Sequence, residues 1–252
     1  MASLTDSFND AFAEDKSIIK IIVYAIPVFI CANSYLSNNK TACYFFIIPT
    51  ILLLLALMSN GISNIRANKR EILTFKPIVL ITVLIKLLLA ILPIFCVMFF
   101  IGNLIISLVK LPDYPNLPLI FSSIIWLIMF SVVFTSYLAF SKTISIEAAY
   151  NLKVVFESSF DVLINLLFLI PQLIIANGIL IGTVWYLFFV IHIPLTNPLF
   201  VFYCSCIITL NLSVLSSYFA QASYELIKGK DNEYKDNYNI KGSGIHNNYR
   251  RK

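Results

Sequence analysis

The chain has 252 residues, 59% hydrophobic and 12% charged, where soluble domains carry roughly 45–50% apolar and about 25% charged residues. With a mean hydropathy of +0.86, its apolar residues exceed what one water-soluble core could hide, so lipid must solvate most of the chain. The net charge of +5 comes from 18 basic and 13 acidic residues; its meaning depends on where the basic residues sit, and nucleic acid is not the partner it implies.

The first element is a short amphipathic helix. Leu4, Phe8 and Phe12 recur every four residues while Asp6, Asp10 and Glu14 face away, the pattern of one apolar and one charged face. It can lie flat on the membrane or pack against the cytoplasmic ends of a bundle, and its acidic face excludes attraction to anionic lipid as the source of its affinity. Residues 17–36 form the first apolar run long enough to cross about 30 Å. Acidic residues before it and no small-x-small cleavage site after it mark a retained span, not a signal peptide. Further runs cover 43–60, 77–109, 119–140, 162–191 and 198–219. The third and fifth are longer than one perpendicular crossing needs, so they must tilt, kink or begin at the interface. From Lys228 onward the sequence is rich in Asn, Lys, Gly and Tyr without apolar periodicity, which predicts a disordered basic tail over 228–252 beside a membrane domain over 1–227.

Basic loop residues are held in the cytoplasm. Lys16, Arg66, Lys69, Arg70, Lys76, Lys142, Lys153 and seven tail residues fall on one side, while Lys40 and Lys110 fall on the other. Fourteen against two puts both termini in the cytoplasm. The tail adds surface attraction to anionic headgroups.

The spans repeat internally. Ile19-Lys20-Ile21-Ile22 with Pro27 and Phe29 recurs as Ile85-Lys86-Leu87-Leu88 with Pro93 and Phe95, and the stretch from Ile26 to Asn33 is echoed from Ile170 to Asn177. Ser136-Tyr137-Leu138-Ala139 and Ser217-Tyr218-Phe219-Ala220 close the fourth and sixth spans, which puts a tyrosine at each cytoplasmic interface. The expected architecture is all-α: a polytopic integral membrane protein of about six transmembrane helices, built as three hairpins with cytoplasmic amphipathic segments. Two such segments, Ser7-Phe8-Asn9-Asp10-Ala11-Phe12 and Ser145-Ile146-Glu147-Ala148-Ala149-Tyr150, precede proline-interrupted hairpins. This Ser-x-x-x-Ala-Phe/Tyr pattern resembles several prokaryotic multi-pass membrane families classed as domains of unknown function. The resemblance implies a bacterial or archaeal plasma-membrane protein and brings no activity with it. The second hairpin lacks a clear copy of the motif.

Ionisable groups in lipid are functional candidates by default, and Lys20 and Lys86 lie within apolar runs. Lys86 is either near the bilayer centre, functional or paired with an acid the sequence does not supply, or, like Lys20 by the repeat, near the cytoplasmic interface with its ammonium snorkelling out. Pro27, Pro93 and Pro171 each remove a backbone donor and open helix kinks. Asn33 and Asn177, at matching repeat positions, together with Gln172 and Lys86 are candidates for a polar path, of the kind interrupted helices build in transporters; the amides serve equally well as interhelical hydrogen-bond glue. Gly178 and Gly182 form a GxxxG element, expected to pack helix against helix.

Catalytic patterns are missing: there is no HExxH, GxSxG or GxxxxGKS, and Cys204-Ser205-Cys206 has the wrong spacing for a redox or metal pair. His192 and His246 fall on opposite sides. No catalytic residue, cofactor or metal site is expected. The sequence therefore predicts a non-enzymatic membrane protein with an accessory, scaffolding or lipid- or partner-interacting role. Its partners are the bilayer and a second protein in the membrane, and its alternative is a small transporter or channel.

Overall fold

A computed structural model describes residues 3–14, 16–69, 71–109 and 116–227. The tail at 228–252 and the basic positions Arg70 and Lys110 lie outside the described residues. In chain order the elements are α1 (Leu4–Ala13), α2 (Ser17–Leu36), α3 (Lys40–Arg66), α4 (Pro77–Leu108), α5 (Leu117–Thr143), α6 (Ile146–Ala149), α7 (Leu152–Ala176), α8 (Gly178–Trp185), one π-helical turn (Tyr186–Val190) and α9 (Pro198–Leu226). Six of these helices are long and apolar enough to cross a membrane, so the fold is all-α and polytopic.

Local chemistry sets the helix ends. Ser3, Asn39, Asn151 and Asn197 accept hydrogen bonds from first-turn amides through their side chains, which satisfies donors that a helix leaves unpaired. Pro77 and Pro198 occupy first-turn positions where a missing N–H costs nothing. After α2 and α3 the chain reverses through a left-handed asparagine, Asn38 and Asn68. In both cases three backbone bonds close the last turn, as in glycine-capped helices.

Packing is concentrated at one end of the bundle, the end that carries α1 and the loop between α3 and α4; we call it the α1 face. Buried residues cluster at Ala56–Ile62 of α3, Ser131–Ser141 of α5 and Ser213–Ser223 of α9. Many are small hydroxyl residues. Thr135, Ser136, Ser141, Ser205, Thr209 and Ser216 each donate to a carbonyl four residues earlier in their own helix. They are thereby satisfied within their own helices, Ser141 also reaching Ser59 of α3 at 3.0 Å, and the backbones can approach closely. Gly61 is the most tightly enclosed of the described glycines: a Cβ there would meet the Ile72 carbonyl oxygen at 2.9 Å and Ser216 Cβ at 3.0 Å. Between α5 and α9, Phe134, Tyr137, Tyr218 and Phe219 form a ring cluster.

Several expectations need correction. Tyr137 and Tyr218 are 3% and 5% exposed, so they are not interfacial. Tyr137 donates to the Leu55 carbonyl at 2.9 Å, and Tyr218 accepts from Asn165 at 2.9 Å. The span expected at 162–191 starts ten residues earlier and breaks at Asn177 into α7 and α8. Its partner in a third hairpin would be α9, yet α7 packs mainly on α5. The amphipathic segment before α7 is a single turn, α6.

Candidate functional site

A polar knot ties α1, α2, the α3–α4 loop and α9 together at the α1 face. It begins where α1 ends. Glu14 adopts an extended conformation and leaves the helical face on which the acidic repeat would place it. Its side chain turns inward, 2% exposed, contrary to the expectation that it faces away with Asp6 and Asp10. One carboxylate oxygen meets Lys20 Nζ at 2.5 Å and accepts the Ile72 and Leu73 amides at 3.0 and 3.1 Å. Residues 72–75 have no helix to supply partners, so a carboxylate is their replacement acceptor.

One turn beyond Lys20, the Tyr24 hydroxyl donates to the Thr74 carbonyl. Phe75 stacks on Tyr24 and lies 5.7 Å from the Lys20 ammonium. Lys20 is thus a paired buried cation, not a snorkelling one. Burial pushes the Glu14 carboxyl above its ordinary range, against the pull of Lys20 and the two amides. On the other side of the knot, Asp10 accepts from Ser217 at 2.7 Å and from Gln221 at 3.2 Å, fixing α1 to α9. Arg66 donates to Ser223 at 2.7 Å with its guanidinium 3.9 Å from the Tyr224 ring centroid. The arrangement holds segments together: every bond in it joins two elements and none frees a nucleophile or a base.

The sequence-predicted residues scatter. Asn177 is buried and exchanges two hydrogen bonds with Asn211, at 2.7 and 3.0 Å, which is the glue arrangement. Asn33 does not share its depth. The Phe29–Phe202 ring contact registers α2 against α9, and from it Asn33 lies four residues toward one end while Asn211 lies nine toward the other, a separation of roughly 20 Å at the helical rise. Gln172 and Lys86 are exposed on the outside of the bundle.

Tyr150, just past α6, donates to the Leu89 carbonyl of α4 at 2.8 Å, so the turn that follows α5 lies one helical turn beyond Lys86. From Leu89 to Leu108 the helix is about 29 Å long, enough for the hydrocarbon core. Lys86 therefore falls at the edge of that stretch.

Pro27, Pro93 and Pro171 interrupt no helix; α2, α4 and α7 run through them. Leu89 is four residues before Pro93, so its carbonyl is one that proline deprives of a donor, and Tyr150 supplies the missing one. Among the described residues Gly178 and Gly182 pack against no neighbouring helix: beyond their own helix backbone and chain neighbours, no heavy atom lies within 4 Å of a Cβ built on either. Their face, with Ile175 and Ile179 at 79% and 86% exposure, is open.

Sequence reasoning missed Glu14, Tyr24 and Tyr150. For Glu14 the signal was present: an acid six residues before an otherwise unexplained lysine. Tyr24 and Tyr150 act on backbone carbonyls 50 and 61 residues away, for which no local signal exists. Among the described residues no group of three or more His, Cys, Asp or Glu is placed to hold a metal. No family model, curated protein or solved structure matches the chain.

Proposed function

We propose that this is a non-enzymatic accessory protein of the plasma membrane, with both termini in the cytoplasm, that binds a partner membrane helix along α8. The observation that carries this reading is the open face of Gly178 and Gly182. In lipid, apolar side chains gain little by meeting each other, and close backbone approach at small residues is a principal source of helix affinity. Gly61, at the α1 face, is filled in this way from within the chain, whereas the two glycines of α8 are not. The Lys/Arg asymmetry of the loops supports the orientation. Native mass spectrometry from mild detergent tests the proposal. A stoichiometric second polypeptide that is lost in the Gly178→Leu/Gly182→Leu variant is expected; a chain that emerges alone or with lipid only refutes it.

The break at Asn177 favours a second reading. A helix interrupted within the bilayer is how transporters expose backbone groups to a substrate. On that reading Asn177 and the free ends of α7 and α8 would line a path. Reconstituted flux that responds to substitution of Asn177, but not of Asn33 or Lys86, would favour it over the accessory role.

A further inference from the structure

We infer that one acyl chain of a membrane phospholipid seats in an apolar cleft between α2, α8 and α9, with the lipid phosphate at Lys16. The cleft follows from the break at Asn177. There the pairing with Asn211 pins the chain to α9, and α8 runs on with no buried residue of its own. A space of about 220 Å³ stays open between it and the seam of α2 and α9. Ile18 and Ile22 of α2, Leu180 of α8 and Tyr203 and Ile207 of α9 line this cleft, and Phe12 of α1 joins them from the α1 face.

The lining selects a hydrocarbon. No polar atom faces the cleft, so a polar ligand there would lose its solvation without replacement. An apolar cavity of about 150 Å³ stays dry and takes up benzene. The larger cleft here has room for a run of methylene groups, and filling it restores dispersion contacts that its walls otherwise lack. Ile18 and Ile22 belong to the first two turns of a membrane-spanning helix, within roughly 8 Å of its end. At that depth, just inside the hydrocarbon, the apolar solute is the upper part of an acyl chain.

The α1 face supplies the other end of the lipid. Phe8 packs on the cluster of Ala11, Ile72 and Val214, whereas Phe12, next on the same apolar stripe, is 53% exposed and turns to the cleft. Between Phe12 and Ile18 stands Lys16, exposed at the start of α2 in a left-handed conformation. Lys20, one turn further on, is committed to Glu14, which leaves Lys16 to meet a phosphate in the headgroup layer. Leu180 lies on the side of α8 opposite Gly178 and Gly182, two residues from each, so the lipid site is separate from the partner face proposed above.

The test takes the full-length protein in detergent, strips it of lipid and titrates it with dioleoyl phosphatidylglycerol, while native mass spectrometry counts the lipids bound. One lipid that binds ahead of the rest is expected in the wild type. Cys206 also lines the cleft, and Cys206→Phe, which fills it from α9, should weaken that first binding by on the order of tenfold. Leu180→Trp fills it from a helix with no buried residue and should do the same with the core untouched; melting curves show that each variant is folded. Lys16→Gln should weaken the first binding several-fold. A wild type with no lipid ahead of the rest, a first lipid that survives both cleft-filling variants, or one indifferent to Lys16→Gln overturns the proposal. A second polypeptide, in place of a lipid, that leaves on Cys206→Phe assigns the cleft to a protein segment and overturns it as well.

Discussion

Replacing Lys20 with Met removes the ammonium and keeps most of the aliphatic stem, so packing beside Phe75 is largely preserved. What remains is a carboxylate at 2% exposure that still accepts the Ile72 and Leu73 amides but has lost the cation that balanced it. Breaking a buried pair by removing one partner costs about 3–5 kcal/mol, because the surviving charge stays desolvated. For a chain of this size each kcal/mol moves the melting temperature by roughly 2–4 °C, so Lys20→Met should lower it by about 10 °C. Glu14→Gln should be destabilising for the same reason, since it strands the lysine. The double variant removes both charges while the Gln amide oxygen can still accept from the loop, and it should fall within about 1 kcal/mol of the wild type.

Thermal unfolding in nanodiscs, followed by Trp126 and Trp185 fluorescence, measures all four proteins. Acid sharpens the test. Burial holds the Glu14 carboxyl above its ordinary range, so the folded protein keeps a proton that the unfolded chain releases, and between the two values stability falls as pH rises. Losing Lys20 removes the hydrogen bond and attraction that hold that value down, which extends the window upward. Lys20→Met should therefore recover stability on acidification, and the double variant should not respond. Additive losses in the double variant, or a Lys20→Met protein that melts with the wild type at neutral pH, would refute the clamp.

Three other outcomes follow from the same coordinates. Gly61→Ala places a methyl 2.9 Å from a backbone oxygen that cannot swing away and should cost about 1–3 kcal/mol, whereas Gly182→Ala meets nothing and should leave the isolated chain as stable or more stable by up to about 1 kcal/mol; melting curves of the two variants decide it. Asn177→Leu and Asn211→Leu should each lose about 0.6–1.7 kcal/mol and the double variant little more than one of them, a non-additivity read from the same assay. Tyr150→Phe should cost about 1 kcal/mol in the wild type and nothing in a Pro93→Ala background, where the alanine amide can bond Leu89 itself; equal losses in both backgrounds would contradict the proposed pairing.

The spans were legible in the sequence because their length and polarity are set by the bilayer, which acts on each helix separately. The 17–36 run is α2 to the residue. Ends further from the apolar core moved outward: the 43–60 run grows to Lys40–Arg66, because polar residues such as Asn64 and Arg66 continue a helix that hydropathy alone stops early. Contacts were less legible. The periodicity that places Glu14 with Asp6 and Asp10 holds only while the chain stays helical, and α1 ends at Ala13. The repeat matched Lys20 to Lys86 by letter, but one faces a carboxylate and the other the exterior. Likewise Asn33 and Asn177 share a spacing from proline, yet α2 is unbroken to Leu36 while α7 stops at Ala176, so equal spacing does not give equal depth.

That stop explains why the bundle is tight at one face and open along α8. Asn177 keeps the helical N–H bond to the Leu173 carbonyl and adds its side-chain amide to the same oxygen where α7 ends, and its carbonyl accepts Ile181 N–H at the start of α8. The Asn211 pair pins this junction to α9. Beyond it, Thr183 spends its hydroxyl on the Ile179 carbonyl, and the rest of Gly178–Val190 is glycine and large apolar or aromatic side chains. Helices associate in lipid where small or polar residues let them, since apolar contact with a neighbour replaces equally apolar contact with acyl chains. At the α1 face that role falls to Gly61, the serines of α3, α5 and α9, and the Glu14–Lys20 pair. Along α8 it falls to Gly178 and Gly182, and among the described residues no heavy atom outside their own helix backbone and chain neighbours lies within 4 Å of the place a side chain would occupy on either. That face is the open side of the bundle among the described residues.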